Sequence, residues 1–331
     1  MKSEKKCIDD FLTLGRYGFI TILLIELVMI IVCGNFLFMV FGGADVKITQ
    51  CDTEIPSNFT NSSTDFCASF EQQQCTSLTL DYEFYSINAE WLLICDEGQL
   101  VKQSTSYQML GLIIGSVFWG RIADLYGRKV PMIICLIFCG SFGFASAFSP
   151  NLIVFTALRT IVSFFTIGAG VIANTFYGEL LPSKHRLWLA FLLSWSPNFV
   201  IVAAIAYFTQ TWRLLIVFIS SISVPATLLI WYMSETPHFL MRRGKLTKAI
   251  LTIQRFYRID GKEVDMVKLK EVFFEEQKMD MENNEKSYSF LHLFCTPKFI
   301  GYSIALCFCC FELSIISYSM LFNLDKVSGS L

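Results

Sequence analysis

Charge is scarce in this chain. Asp, Glu, Lys and Arg make up 16% of its 331 residues and sum to a net charge of −2, well below the roughly 25% charged residues of ordinary soluble domains. No basic tract is present that would attract nucleic acid, so no nucleic-acid partner is expected. Histidine is scarcer still: His185, His238 and His292 are the only three, and they are too scattered to form a site. Zinc-ligand spacing, a phosphate-binding loop and a nucleophile–base pattern are all missing. No catalytic residue, metal or cofactor is therefore expected, and the chain does not read as an enzyme.

What the chain has instead is apolar length. Phe alone contributes 32 residues, and the mean hydropathy is +0.53. Runs of about 20 apolar residues recur, each long enough to cross a hydrocarbon core of roughly 30 Å as a helix. In lipid such runs must be helical, because only a helix satisfies its own backbone groups there. Seven spans are expected, near 17–41, 104–119, 130–148, 152–175, 187–208, 212–232 and 299–322. The first run is too long for the apolar core of a signal peptide and lacks a small-residue cleavage site, so it reads as an uncleaved signal-anchor. The expected class is an all-α polytopic membrane protein.

Lys and Arg set the orientation. The first 16 residues carry Lys2, Lys5, Lys6 and Arg16; segment 120–129 carries Arg121, Arg128 and Lys129; Lys184 and Arg186 follow span 4; segment 233–298 carries twelve bases. If the spans alternate, all four lie on one side, which is then cytosolic. The opposite side receives segment 42–103, whose only bases are Lys47 and Lys102. That segment also holds Cys51, Cys67, Cys75 and Cys95, four cysteines for which three disulfide pairings are open. It carries the glycosylation sequons Asn58-Phe-Thr60 and Asn61-Ser-Ser63 as well, which suit an extracellular loop. The organisation expected is a cytosolic N-terminus at 1–16, a six-helix bundle at 17–232 that includes the loop 42–103, a cytosolic helical linker at 233–298, and span 7 with the start of a second bundle at 299–331. The linker reads as two or three short amphipathic helices, the clearest over Lys245–Arg258.

Charges within spans are costly, about 2.5–3.5 kcal/mol on insertion scales. Glu26, Arg159 and Glu312 are the three to explain. Glu26 reads as an acid in a packing network. Glu312 reads either as a cavity group that would attract a cation or as half of an internal ion pair.

Ser86-Ile-Asn-Ala-Glu90-Trp91-Leu-Leu-Ile-Cys95 closes the long first loop, and Gly120-Arg-Ile-Ala-Asp-Leu-Tyr-Gly-Arg-Lys129 joins spans 2 and 3. With Gly15-Arg16-Tyr17, Asn35, the Glu179 and Arg186 pair, Ala206-Tyr-Phe, Trp212-Arg213, Ser234-Glu-Thr-Pro-His-Phe-Leu240, Tyr318 and Asn323, these stretches resemble solute carrier family 22, the organic cation, organic anion and carnitine transporters of the major facilitator superfamily. The segments 120–129 and 234–244 are shared with sugar porters; the long loop ending in Glu90-Trp91 separates the two. The departures are four loop cysteines in place of six, Ser163 in place of Gly, and His238 in place of Arg.

The resemblance implies a major facilitator fold of twelve spans in two halves, with transport by alternating access around a site near the midplane. The partners it implies are a small organic ion, the lipid bilayer, and a coupling ion left open. Asn35 and Tyr318, with Glu312, are the candidate cavity residues. Gly120 and Gly127 are expected to turn the loop between spans 2 and 3 tightly. Asp124 and Arg128 are expected to form a cytosolic latch with Glu179 and Arg186 close by, and Arg159 and Glu235 to belong to a structural network. The location implied is the plasma membrane with a cytosolic N-terminus. The chain ends shortly after span 7, so the sequence is expected to be either incomplete or a truncated product. The alternatives are a non-transporting half-carrier with a regulatory role, or a sugar-porter-like facilitator. A seven-span receptor, the remaining reading of the helix count, would place the N-terminus outside.

Overall fold

The computed structural model describes residues 8–44, 46–51, 78–94, 97–193, 195–263, 265–284 and 297–322. A turn of 3-10 helix at Ile8–Phe11 leads into α1 (Arg16–Gly42), and the strands β1 (Lys47–Cys51) and β2 (Leu78–Asp81) pair antiparallel, Lys47 opposite Asp81. Then follow α2 (Ile87–Trp91), α3 (Gly98–Tyr126), α4 (Lys129–Ser146), α5 (Leu152–Leu180), α6 (Ser183–Leu192), α7 (Trp195–Thr209) and α8 (Trp212–Tyr232). Beyond these come α9 (Pro237–Arg242), α10 (Leu246–Asp260), α11 (Met266–Asn284) and α12 (Pro297–Phe322).

Six stretches are long and apolar enough to cross a membrane: α1, α3, α4, α5, α6 with α7, and α8. They match the first six expected spans. The seventh falls in α12, whose described apolar stretch is Ile300–Ile316. Span 5 is broken where α6 ends, and Pro197 sits in the first turn of α7, where its missing N–H costs nothing.

Residues 1–273 form one compact unit, and 274–331 a second. In the first, α1 packs on α5, α7 and α8, while α3 lies along α5 and α4 lies between α5 and α8. The α3–α5 contact is close because Gly111 and Gly115 stand one turn apart; a Cβ on either would meet the backbone carbonyl of Thr160 or Phe164. Small residues let membrane helices approach in this way.

The core continues past the spans. Leu240, Ile250, Ile253, Phe256, Leu269 and Phe273 are buried in one cluster with Ile8, Leu12, Tyr17 and Phe176. Most of the segment expected as a linker, 237–273, thus packs with the six spans as a cap on one end of the bundle. The cap is α9, α10 and the part of α11 up to Phe273, and the buried face of α10 is Ala249, Ile250, Ile253 and Phe256. Leu251 lies off that face and is 55% exposed.

Two expectations about the 120–129 segment are corrected. The segment is mostly helix: α3 runs on to Tyr126, because the charged residues lower its hydropathy without interrupting its backbone hydrogen bonds. Gly120 makes no turn; it is mid-helix, with nothing within 4 Å of the place a Cβ would take. The turn is at Gly127 alone, at φ +102°, where a Cβ would run into the Glu235 carboxylate.

Candidate functional site

The capped end of the bundle carries an ionic cluster centred on Arg128, which is 3% exposed. Its guanidinium donates to Glu179 Oε1 at 2.9 Å, to the Ala123 carbonyl at 3.2 Å and, marginally, to Asp124 Oδ1 at 3.5 Å. It also lies 5.1 Å over the Phe239 ring. Glu179 uses its second oxygen to accept from Thr236 Oγ1 at 2.5 Å. Glu235 accepts from the backbone N–H groups of Arg128 and Lys129 at 3.0 and 3.1 Å. These are open donors at the start of α4, and a carboxylate there also gains from the helix dipole. Lys129 Nζ donates to the carbonyls of Trp231 and Met233 at the end of α8, the matching contact for a cation.

The expected latch residues therefore divide. Arg128, Glu179 and Glu235 meet. Asp124 is peripheral, its side chain 73% exposed. Arg186 does not join Glu179: it donates to Asp9 Oδ2 at 3.3 Å and to the Leu181 carbonyl at 3.0 Å. Asp9 also pairs with His238 Nε2 at 3.2 Å. The hydrogen bond from His238, with the positive field of Arg186, holds the Asp9 carboxyl below the usual carboxylate range despite its partial burial. Nearby, Asp260 of α10 caps α1 from outside: it accepts from Tyr17 N at 2.9 Å and Thr13 Oγ1 at 3.0 Å, where the helix's own cap residue is Gly15. Asp9 and Asp260 were not singled out by the sequence reading. Their partners lie more than 170 residues away, and nothing local marks them.

Deeper in the bundle, Arg159 is 1% exposed. It donates to Asn35 Oδ1 at 2.7 Å and to the Asn35 carbonyl at 3.0 Å, and it lies 4.5 Å over the Phe38 ring. Asn35 donates back to the Ile31 carbonyl at 2.9 Å, and Cys139 bonds Thr166 beside it at 3.1 Å. The structure thus brings a cavity candidate, Asn35, and a network candidate, Arg159, into one buried contact between α1 and α5. Glu26 bonds Asn198 of α7, in keeping with an acid held in packing. Glu312 lies on an exposed stretch of α12 in the second unit. The side chain of Tyr318 is outside the described residues, as are Asn58, Asn61, Cys67, Cys75, Cys95 and Asn323; of Cys51 only the backbone, at the end of β1, is described.

The opposite end of the bundle holds a second cluster. Glu90 of α2 accepts from Trp212 Nε1 at 2.7 Å and from Arg213 Nε and NH2 at 3.1 and 2.5 Å. Arg213 also reaches the carbonyls of Ala147 and Ser149. Trp91 packs edge-on against Trp212, with ring centroids 5.5 Å apart. Two motifs that the sequence offered only as family markers are thus contact partners that pin the end of the first loop to the start of span 6.

Six apolar spans capped by short helices, with ionic clusters at both ends, define a multi-pass membrane protein. Residues 54–322 match the family model described as "Sugar (and other) transporter", and the chain belongs to that family. Its curated relatives place it with solute carrier family 22 of the major facilitator superfamily. It is 27% identical over 274 residues to the organic cation transporter protein of Drosophila melanogaster, a match covering 80% of this chain and 50% of that one. It is 26% identical over 247 residues to organic anion transporter 3 of Oryctolagus cuniculus, covering 73% and 45%. Among solved structures it resembles the proton:xylose symporter XylE bound to 6-bromo-6-deoxy-D-glucose, with TM-score 0.58, 16% identity, and 85% of this chain and 56% of that one covered. A partially occluded inward-open conformation of XylE from E. coli gives TM-score 0.54 at 16% identity, with 81% and 60% covered. The chain spans about half the length of the curated relatives it matches.

Proposed function

We propose that this chain supplies the first half of a plasma-membrane carrier for small organic ions that works by alternating access, with its N-terminus and the cap in the cytosol. The observation that carries this reading is the chemistry of the capped end. The joint between spans 2 and 3, span 4 and the cap is held by charged hydrogen bonds through Arg128, Glu179 and Glu235. Such contacts are strong yet exchangeable, so they can hold one state and be released in another. The Arg159–Asn35 contact fixes α1 against α5 in the interior of the bundle.

The relatives named for organic cations and for an organic anion leave the sign of the substrate charge open. The experiment is uptake of two radiolabelled probes, a quaternary ammonium and an aromatic carboxylate, by cells expressing the chain in its intact transcript. Saturable uptake of one probe, lost in Arg128→Ala at equal surface level, is the expected result. Saturable uptake of a hexose, with neither ion taken up, would favour the sugar-porter reading. No uptake of any probe by a protein that reaches the surface would leave the half-carrier.

A further inference from the structure

We propose that Arg159 is an anion site: its buried guanidinium meets no acid within the bundle, and its open Nε–H edge takes a compact monovalent anion, a halide or a carboxylate. Arg159 is 1% exposed, and a guanidinium keeps its charge at any pH a protein meets. Every contact it makes among the described residues is neutral. Its Nη1 and Nη2 donate to Asn35 Oδ1 and to the Asn35 carbonyl, and the Phe38 ring lies against its face. The Nε–H is buried and has no acceptor among the described residues. No described carboxylate lies within ion-pair distance of it. Glu26, the acid inside α1, is bonded to Asn198. It stands nine residues before Asn35, about 14 Å away along the helix.

The chain treats its other buried guanidinium differently. Arg128 is 3% exposed and pairs with Glu179 at 2.9 Å. The partly buried Arg186 and Arg213 have Asp9 and Glu90. An interior charge without an opposite charge is strongly destabilising, and neutral dipoles and a ring face offset only part of that. A small anion beside the Nε–H would remove the deficit. The surroundings suit one. Arg159, Ser163 and Thr166 stand at i, i+4 and i+7 on α5, which puts them on one face of the helix, and all three are buried. Both hydroxyls are donors of the kind an anion accepts from. Thr166 now shares its hydroxyl with Cys139 Sγ at 3.1 Å, a weak partner that an anion can replace. A single cation with a single open N–H matches one negative charge, whereas a divalent anion would leave an excess in the interior.

The site does not rest on the transport reading, because it is read as stability and not as uptake. The test is the thermal unfolding midpoint of the whole chain in detergent micelles, at one pH and one ionic strength. Isethionate, a bulky sulfonate, is the reference salt, and chloride and acetate are the two probes. The midpoint should rise by about 2–4 °C in a probe that binds, and the rise should saturate with concentration. A rise in chloride alone assigns a halide from solution; a rise in acetate assigns a carboxylate, such as an organic anion would carry. Asn35→Asp places a carboxylate where Arg159 already donates, so its midpoint should be the same in all three salts. Arg159→Met should lose the response as well. Equal midpoints of the natural protein in all three salts overturn the site. A chloride or acetate response kept by Asn35→Asp overturns it too, as that is a general salt effect. Should Arg159→Met fail to fold, the natural protein and Asn35→Asp still decide. Failure of the transport reading would show instead in the uptake assay, with these midpoints unchanged.

Discussion

At the scale of single residues, the charged cluster at the capped end ranks its members by burial. Arg128 and Glu179 pair with side chains 4% and 16% exposed, whereas Asp124, at 73%, adds an i,i+4 contact at the limit of bonding. Removing one partner of a buried pair strands the other, at a cost of about 3–5 kcal/mol, while exposed pairs contribute about 0–1 kcal/mol. Glu179→Gln should therefore lower the thermal midpoint of the purified protein by many degrees, and Asp124→Asn should leave it nearly unchanged. A larger loss from Asp124→Asn than from Glu179→Gln would contradict the placement of Arg128. The sequence showed that these residues share a membrane face. It did not show which acid Arg128 uses, because Asp124 is near in sequence and Glu179 is near only after spans 2 to 4 have packed. Asp9 and Asp260 were invisible for the same reason: a carboxylate in an ordinary polar stretch acquires meaning only from a partner brought to it by the fold.

At the scale of elements, the spans were legible because an apolar run in lipid has one solution, a helix. Their ends were less so. α3 outlasts its apolar stretch by a full turn and more, since helix hydrogen bonding continues through Arg121 and Asp124 where hydropathy drops. The pairing of β1 with β2 was not legible, as no short-range signal links strands with so long a segment between them. Glycine is where the two readings diverge most usefully. Gly120 was expected to turn the chain, yet it sits in open space within α3, while Gly115 lies against the Phe164 carbonyl and the Ile167 side chain. Gly120→Ala should be tolerated or mildly stabilising, by up to about 1 kcal/mol, because alanine is the better helix former. Gly115→Leu should destabilise by about 1–3 kcal/mol, the usual cost of forcing volume into a packed contact. Unfolding midpoints of the two variants, compared side by side, decide the point: a loss at Gly120 and none at Gly115 would restore the turn to Gly120 and remove the close α3–α5 approach.

At the scale of the whole molecule, the two ends of the bundle differ in kind, and that difference argues the orientation. The capped end gathers the turn at Ile8–Phe11, the α3–α4 joint, the start of α6 and the cap, and with them Arg16, Arg128, Lys129, Arg186 and most of the twelve bases of segment 233–298. The other end gathers α2 and the start of α8, and its long segment 42–103 carries only Lys47 and Lys102. An excess of Lys and Arg in short loops marks the cytosolic side, so the proposed orientation puts the capped end inside and Asn58 and Asn61 outside. A seven-span receptor arrangement would invert every one of these placements. The two are separated by glycosidase digestion of the natural protein, Asn58→Gln, Asn61→Gln and the double variant expressed in cells, alongside antibody access to an N-terminal epitope. The expected outcome is a mass shift on digestion that the double variant lacks, with the epitope reached only after permeabilisation. Glycans are added only in the secretory lumen, so a shift assigned to either asparagine cannot coexist with a cytosolic loop. An epitope accessible on intact cells, with no glycan at either site, would turn the bundle over and carry the Arg128 cluster to the outer face.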